Sequence, residues 1–285
     1  MSGSGYIKLD ELREMKAQGR KFAMLTAYDY PTAVAAEATG VHGLLIGDTM
    51  GAVLLGHGST RKTPLELMLI LGEAVRRGAP HVFLSGDLPY ESLAGGDEAA
   101  VTGCKRFRDE AGCDAVKLEV EEEDAPLIEK VAQAGVVPIA HLGLRPQSVT
   151  SPDGYRAQAR TEGEIAGLVR AVRTMERAGA QMILLEAVPP PASEAVVAAV
   201  GVPVIGCGAG PACDGHVLVT HDMLGIGNVR PPKFVPVHGD LGRQMQEAMQ
   251  RYVDDIVMGR YPGPQHVYPM RAQISVSGES PTARQ

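Results

Sequence analysis

The sequence predicts a (β/α)8 barrel, and three observations favour that fold class. Segments with helical spacing that end at a glycine alternate with short apolar runs, as in a parallel sheet with right-handed crossovers. Apolar runs near residues 22, 44, 82, 115, 136, 182, 203 and 217 supply eight strand candidates. Eight such units in about 200 residues match the size of a closed barrel. An open doubly wound sheet is the alternative, which is less favoured because no Gly-x-Gly-x-x-Gly follows the first strand.

The first part of the chain holds the elements that lead to the second strand and its loop. In order, we expect a helix over residues 8–19, a strand over 21–26, a helix over 31–39, a strand over 44–46, a loop over 56–63 and a helix over 64–77. Proline is tolerated at the first helical position, so Pro64 is expected to be the first residue of its helix. The second strand is an unbroken apolar run that stops at Gly47-Asp48. Asp48 is therefore expected where a buried strand ends.

From Gly78 onwards one pattern repeats: a glycine ends a helix, an apolar run follows, and the run usually ends at a polar residue, although the run after Gly201 ends at Gly206. The polar ends are Asp87, Lys117 with Glu119, His141, Glu186 and Thr220-His221-Asp222. The clearest helix lies between His141 and Glu186, where Ile165, Leu168, Val169, Val172 and Met175 follow helical spacing. Residues 240–258 predict a further amphipathic helix. We assign residues 1–285 to a single domain, with flexible ends at about residues 1–7 and 272–285.

Composition and charge exclude several classes of protein. A formal net charge of -7 over 285 residues argues against a nucleic-acid or membrane-surface partner. No apolar run reaches the roughly 18 residues that a transmembrane helix needs, and the N-terminus lacks a signal-peptide pattern. The four cysteines (Cys104, Cys113, Cys207, Cys213) form no Cys-x-x-Cys pair. We expect free thiols and a cytoplasmic protein.

The polar strand ends are the candidate functional residues. Singly, each has an ordinary structural interpretation: a helix cap for Asp, a packing residue for His, a surface ion pair for Lys and Glu. In a barrel, however, the carboxyl ends of all strands meet at one mouth. The residues expected to converge there are Asp48, Asp87, Lys117, Glu119, His141 and Glu186.

Four carboxylates in a half-buried pocket are costly unless positive charge lies among them. Lys117 cannot neutralise all four, so the pattern predicts a divalent cation. Hard oxygen ligands without a Cys or His cluster indicate Mg²⁺ or a similar ion rather than structural zinc. A metal with free positions suits a bidentate keto acid, whose carboxylate Lys117 would bind. Glu186, in an apolar run, is expected to have a raised pKa and to act as a base. These residues predict metal-assisted enolisation of a keto acid.

Several long motifs resemble the ketopantoate hydroxymethyltransferase family. They include Leu25-Thr-Ala-Tyr-Asp-Tyr30, Gly47-Asp-Thr-Met-Gly51, Asp87-Leu-Pro-Tyr90, Val116-Lys-Leu-Glu119, Ala140-His-Leu-Gly-Leu-Arg-Pro-Gln-Ser-Val149, Leu184-Leu-Glu-Ala-Val188 and Pro203-Val-Ile-Gly-Cys-Gly-Ala-Gly210. They stand in the family order, and the resemblance extends from about residue 8 to 266. It implies a (β/α)8 barrel of the phosphoenolpyruvate/pyruvate-binding type.

The resemblance also implies a reaction and a set of roles. Family members transfer a one-carbon unit from 5,10-methylenetetrahydrofolate to 3-methyl-2-oxobutanoate, which gives 2-dehydropantoate for pantothenate synthesis. The implied roles are Mg²⁺ ligands at Asp48, Asp87 and Glu119, keto-acid contacts at Asp48, Thr49, Asp87 and Lys117, a general base at Glu186, and an active-site histidine at His141. A homo-oligomer, often a decamer, is also implied.

Departures from the family pattern keep other functions open. Thr49 replaces the usual serine, Gly58 replaces an aspartate, and residues 120–123 and 153–160 differ from the family loops. One alternative is a paralogue that uses the same enolate chemistry on another keto acid, or a C–C or C–P lyase. Another is a non-catalytic ligand-binding barrel. The glycine-rich run 206–210 fits either a phosphate cradle or close packing.

Overall fold

The computed structural model describes residues 6–151, 154–227 and 231–270. The predicted flexible N-terminus lies mostly, and the predicted C-terminal tail entirely, outside the described residues. The chain divides into two compact units, Met1–Gly239 and Asp240–Gln285. The assignment of the whole chain to a single domain stays a prediction.

The first unit is a closed parallel barrel, which confirms the predicted (β/α)8 fold class. Its eight strands pair in sequence order, and the last closes on the first. They are β1 (Phe22–Thr26), β2 (Gly43–Ile46), β3 (Phe83–Asp87), β4 (Ala115–Glu119), β5 (Pro138–Gly143), β6 (Met182–Glu186), β7 (Val204–Cys207) and β8 (Gly215–Leu218). The strands are nearly continuous apolar runs because the barrel interior covers one face and the helices cover the other.

Helices lie between most consecutive strands, as the alternating pattern predicts, although the described residues 208–214 between β7 and β8 contain none. In chain order the helices before, between and after the strands are α1 (Leu9–Ala17), α2 (Tyr30–Ala38), α3 (Met50–Val53), α4 (Leu65–Gly78), α5 (Tyr90–Ala94), α6 (Asp97–Asp109), α7 (Ala125–Gln133), α8 (Glu162–Arg177), α9 (Pro190–Ala199), α10 (Thr220–Leu224) and α11 (Leu241–Val257). The prediction for Pro64 was wrong in detail: Pro64 caps α4 in an extended conformation (φ -80°, ψ 145°) and Leu65 is the first helical residue.

Two buried apolar layers stabilise the barrel. Side chains such as Phe22, Phe83 and Met182 fill its interior. A second layer lies between the strands and the surrounding helices. Gly215 leaves room for the Phe22 ring, because a Cβ atom at that position would overlap the ring. The packed interior leaves the carboxyl-terminal mouth as the place where a ligand can enter.

The second unit contains the amphipathic helix predicted over residues 240–258. The ring of Tyr252, on this helix, packs edge to face against Tyr261, with centroids 5.5 Å apart. Within the part of the chain that the structure describes, no helix is both long enough and apolar enough to cross a membrane. All four cysteines are free thiols.

Candidate active site

A cavity of about 630 Å³ opens at the carboxyl-terminal mouth of the barrel. Every residue that the sequence marked as a site candidate lines it: Asp48, Thr49, Asp87, Lys117, Glu119, His141 and Glu186. Their convergence follows from topology, since the carboxyl ends of parallel strands meet at one end of a barrel.

The strand register sets which candidates are neighbours. Asp87, the last residue of β3, pairs in register with Lys117 of β4. Glu119, the last residue of β4, pairs with His141 of β5. Side chains that leave adjacent parallel strands at one level point to the same side of the sheet. The register therefore places two acid–base pairs side by side in the mouth.

Asp48, Asp87 and Glu119 each have one oxygen held by a protein N–H group. Gln147 Nε2 donates to Asp48 Oδ2 at 2.8 Å, and the Gln147 main-chain N–H donates to Glu119 Oε2 at 2.9 Å. The Asp48 main-chain N–H donates to Asp87 Oδ2 at 3.1 Å. Each carboxylate is thereby oriented through one oxygen. Its second oxygen is left for other contacts.

Lys117 lies among these carboxylates and remains a cation. Its Nζ is 3.2 Å from Asp87 Oδ1 and 3.0 Å from His141 Nδ1. Burial alone would lower the pKa of Lys117, but the nearby charges of Asp87, Glu119 and Asp48 outweigh burial and raise it. A buried ammonium paired in this way can bind the carboxylate of a small acid.

His141 connects Lys117 with Glu186. Its Nε2 lies 3.3 Å from Glu186 Oε2, although no described residue makes a well-aligned hydrogen bond to that nitrogen. Burial and the Lys117 charge hold the pKa of His141 well below its usual range. The ring is therefore neutral. Because Lys117 donates to Nδ1, we assign the remaining ring proton to Nε2, facing Glu186.

Among the four carboxylates of the site, Glu186 is the most exposed to solvent. Its side chain is 17% exposed, compared with 4% for Asp87 and 4% for Glu119. Burial raises the pKa of Glu186 to about 8, although Lys117 lowers it in part. A carboxylate with a pKa near neutrality suits proton abstraction.

The backbone turns sharply just after Glu186. Ala187 has φ +48°, in the left-handed region that residues other than glycine rarely adopt. Two hydrogen bonds hold it there: Ala187 N–H donates to Cys207 O at 2.9 Å, and Gln158 N–H donates to Ala187 O at 2.9 Å. Strained backbone of this kind is common beside functional groups. Here the turn at Ala187 fixes the direction in which the chain leaves β6, and with it the position of Glu186.

The carboxylate set fits Mg²⁺ in its chemistry. Asp87 Oδ1 is buried and, within the described ranges, lacks a well-aligned hydrogen-bond donor. Burial and the neighbouring Asp48 charge raise the pKa of Asp87 to about 7, and burial raises that of Glu119 to about 8, so both carboxyls would gain from a nearby cation. Among the described residues, no three His, Cys, Asp or Glu side chains form a group that could hold a metal ion. Mg²⁺ needs only one or two carboxylates, with water and substrate completing its shell.

Sequence reasoning did not single out several residues of the site. Gln147 bonds two of the carboxylates, and Tyr28 OH lies 2.6 Å from Thr49 Oγ1, which places the Thr49 hydroxyl. Thr60 lines the cavity, and its buried Oγ1 has no hydrogen-bond partner in the described part of the chain. Gln147 and Tyr28 stand inside motifs that carried the family resemblance, and that was the one available signal.

The floor of the cavity, formed by Asp48, Asp87, Glu119 and Glu186, is acidic, whereas its outer wall is aromatic and basic. Tyr155 is 50% exposed there and Phe234 37%, and Lys233 lies beside Phe234. Phe234 packs on Gly208, where a Cβ atom would lie 2.5 Å from ring atom Cδ1. This contact supports the packing interpretation of the glycine-rich run 206–210.

Comparisons with known proteins agree on one family. The family model for ketopantoate hydroxymethyltransferase matches residues 6–264. A 3-methyl-2-oxobutanoate hydroxymethyltransferase from Thermus thermophilus is 42% identical, over 88% of this chain and 96% of its own length. A protein of the same name from Halalkalibacterium halodurans is 38% identical, over 92% of this chain and 94% of its own.

Solved structures show the same barrel at lower identity. Phosphoenolpyruvate phosphomutase from Streptomyces platensis subsp. rosaceus aligns with a TM-score of 0.61 at 15% identity, covering 92% of each chain. A 2,3-dimethylmalate lyase of the PEP mutase/isocitrate lyase superfamily aligns with a TM-score of 0.59 at 18% identity, covering 90% of this chain and 92% of its own. At this identity the likeness concerns the fold alone.

Proposed function

The chain belongs to the ketopantoate hydroxymethyltransferase family, and from this we propose that it transfers a hydroxymethyl group to 3-methyl-2-oxobutanoate. The product is 2-dehydropantoate, an intermediate of pantothenate biosynthesis, and the one-carbon donor is 5,10-methylenetetrahydrofolate. The observation that carries the proposal is the convergence of Glu186, His141 and Lys117 on one cavity beside Asp48, Asp87 and Glu119.

The carboxylates that would hold Mg²⁺ are Asp48, Asp87 and Glu119, one or two of them directly and the others through water. When bound, the ion would polarise the keto oxygen and acidify the proton at C3. Lys117 binds the carboxylate of the keto acid, since its ammonium stays charged among the acidic groups. Thr49, held by Tyr28, offers its hydroxyl to the same substrate. These contacts orient C3 toward Glu186.

Glu186 removes the proton from C3. Its carboxylate must be ionised to do so, and its raised pKa gives it enough basicity near neutral pH. Neutral His141 presents its Nε2 proton toward Glu186 and restricts the position of that carboxylate. As the resulting enolate carbon forms a bond to the methylene carbon of the donor, one of the two carbon–nitrogen bonds to folate breaks. Water then replaces the second nitrogen and supplies the hydroxyl oxygen, and the proton held by Glu186 and the spare proton of the water end on the two folate nitrogens.

The size and lining of the cavity support a second, larger substrate. A volume of about 630 Å³ falls within the range of sites that hold drug-sized ligands, roughly 300–1,000 Å³, well above the needs of a five-carbon acid. Tyr155 and Phe234 offer aromatic faces to the flat rings of a folate, and Lys233 offers a cation to its glutamyl carboxylates. The donor is thus proposed to bind at the outer wall.

A direct assay tests this function. Purified protein is incubated with Mg²⁺, methylenetetrahydrofolate and a panel of keto acids, and products are identified by mass spectrometry. We expect hydroxymethylation of 3-methyl-2-oxobutanoate with kcat/KM at least tenfold above that of the other acids. A clear preference for another keto acid would contradict the proposed acceptor and support a paralogue that uses the same chemistry.

We also propose that the protein is a cytoplasmic homo-oligomer, a decamer as in its family.

A further inference from the structure

Gln147 is hydrogen-bonded to two of the carboxylates that line the cavity. It lies in the short 3-10 turn Pro146–Ser148 that follows β5, and only 4% of it is exposed. Its main-chain N–H and its side-chain amide donate to carboxylates at different strand ends, Glu119 at the end of β4 and Asp48 after β2. A third bond runs from Nε2 to the carbonyl oxygen of Leu88, directly after β3, at 2.9 Å. One residue thus connects three strand ends.

The orientation of the Gln147 amide is determined by its partners. Nε2 faces Asp48 Oδ2 at 2.8 Å and Leu88 O at 2.9 Å, and both of these atoms can only accept. A rotated amide would place its oxygen against two acceptors. Oε1 is buried and has no hydrogen-bond partner among the described residues. A buried amide with one unpaired atom costs stability, which the bonds at Nε2 offset in part.

We propose that Gln147 is a positioning residue that determines which carboxylate oxygens face the ligand. By bonding Asp48 Oδ2 and Glu119 Oε2 it leaves one oxygen of each carboxylate available. Mg²⁺ takes single oxygens in a regular octahedron, whereas Ca²⁺ accepts both oxygens of one carboxylate. Gln147 therefore favours the smaller ion over Ca²⁺. This inference rests on the proposed function, because it assumes that these carboxylates hold the metal.

Two substitutions separate the side-chain contacts from the main-chain contact. Gln147→Met has a similar length and keeps the main-chain bond to Glu119, but it loses the bonds to Asp48 and Leu88. Gln147→Glu has the same shape, but it places an acceptor oxygen against both partners and adds charge beside Asp48. Gln133→Met is the matched control, because Gln133 lies exposed on α7 and its side-chain contact is with Glu129.

The test is calorimetric titration of the full chain with MgCl₂ and, separately, CaCl₂, without substrate. We expect Gln147→Met to bind Mg²⁺ about 10- to 100-fold more weakly, the range known for residues that orient metal ligands, with a smaller loss for Ca²⁺. Gln147→Glu should lose more, and Gln133→Met should match the wild type. The decisive quantity is the change in the ratio of Mg²⁺ affinity to Ca²⁺ affinity, since general destabilisation would weaken the binding of both ions to the same extent.

Two outcomes would overturn the proposal in different ways. Mg²⁺ binding by Gln147→Met within twofold of the wild type, or an equal loss for both ions, would reject the positioning role and leave the proposed function intact. Absence of divalent-ion binding by the wild-type protein would reject the metal site itself, and the role of Gln147 with it.

Discussion

His141 Nε2 lies 3.3 Å from Glu186 Oε2, while the other ring nitrogen lies 3.0 Å from Lys117 Nζ. Since Lys117 is a cation that donates to Nδ1, the imidazole is neutral and its remaining proton points at Glu186. The ring therefore separates a cation from the proposed base. Direct contact with Lys117 would lower the pKa of Glu186 further and weaken it as a proton acceptor.

Replacement of His141 should slow the chemical step more than it weakens substrate binding. We expect His141→Asn to lower kcat by about 10²-fold, toward the low end of the contributions of proton-transfer groups, with a change of a few fold in KM for the keto acid. His81→Asn is the control, because His81 is exposed at the surface. A variant whose KM rises while kcat stays constant would show that His141 binds substrate instead.

The reaction should depend on pH through Glu186. The base acts when ionised, and burial raises its pKa to about 8, so the rate of proton removal should rise with pH and level off above that value. Below it the rate should fall about tenfold per pH unit. The measurement is kcat/KM for the keto acid between pH 5.5 and 9.5. A rate that stays constant down to pH 5.5 would contradict a raised pKa at the base.

The stability of the metal-free protein should also depend on pH. It should fall as pH rises, whereas the rate of proton removal should rise. Burial raises the folded-state pKa of Asp87 to about 7 and that of Glu119 to about 8, from ordinary values of 3.8 and 4.5. At pH values between the ordinary and the raised pKa of each group, the folded chain binds more protons than the unfolded chain. The stabilisation is therefore complete below the ordinary values and is lost as pH rises toward 8.

Thermal melts in EDTA and in Mg²⁺ test this dependence. In EDTA the melting temperature should fall from pH 5.5 to pH 8, and Asp87→Asn should reduce the slope because its side chain does not titrate. Added Mg²⁺ should raise the melting temperature more at pH 8 than at pH 5.5, since protons compete with the cation. A Mg²⁺ effect that is equal at both pH values would argue against these carboxylates as ligands.

The outer wall should affect the donor but not the acceptor. Removal of the Phe234 ring should raise KM for methylenetetrahydrofolate about three- to tenfold, the equivalent of one aromatic contact. Exchange of the C3 proton without folate should stay unchanged. Steady-state kinetics of Phe234→Ala, with Tyr268→Ala as an exposed aromatic control, measure both quantities. If Phe234→Ala changed the KM for the donor and the rate of C3 proton exchange equally, Phe234 would instead support the structure of the whole site.

The barrel and the floor of its site could be predicted from the sequence because both depend on local patterns. Strands buried on two faces are apolar runs, and three of these runs end at Asp87, Glu119 and Glu186. A charged residue at the end of a buried strand is costly unless it is paired, so it indicates a functional site. Parallel topology then brings these ends together without any knowledge of side-chain contacts. The family resemblance agreed with the residues already chosen on chemical grounds.

The contacts that orient the floor could not be predicted in this way. Gln147 reaches Asp48 across 99 positions of sequence, from a turn whose path depends on how the loop after β5 folds back. Likewise, the bond between Tyr28 and Thr49 joins the ends of β1 and β2 through two loops. Such contacts arise from loop geometry, which hydrophobic periodicity does not encode.

Exchange of the C3 proton of 3-methyl-2-oxobutanoate for deuterium, followed by proton NMR, is the most direct measurement of Glu186 as the base. We predict exchange by the wild-type protein with Mg²⁺ and without folate, loss of exchange in EDTA, and a rate about 10³-fold lower for Glu186→Gln, within the range of effects of a general base. Glu194→Gln, a change at an exposed position on α9, should exchange at the wild-type rate. Near-normal exchange by Glu186→Gln would mean that another group is the base and that Glu186 is not.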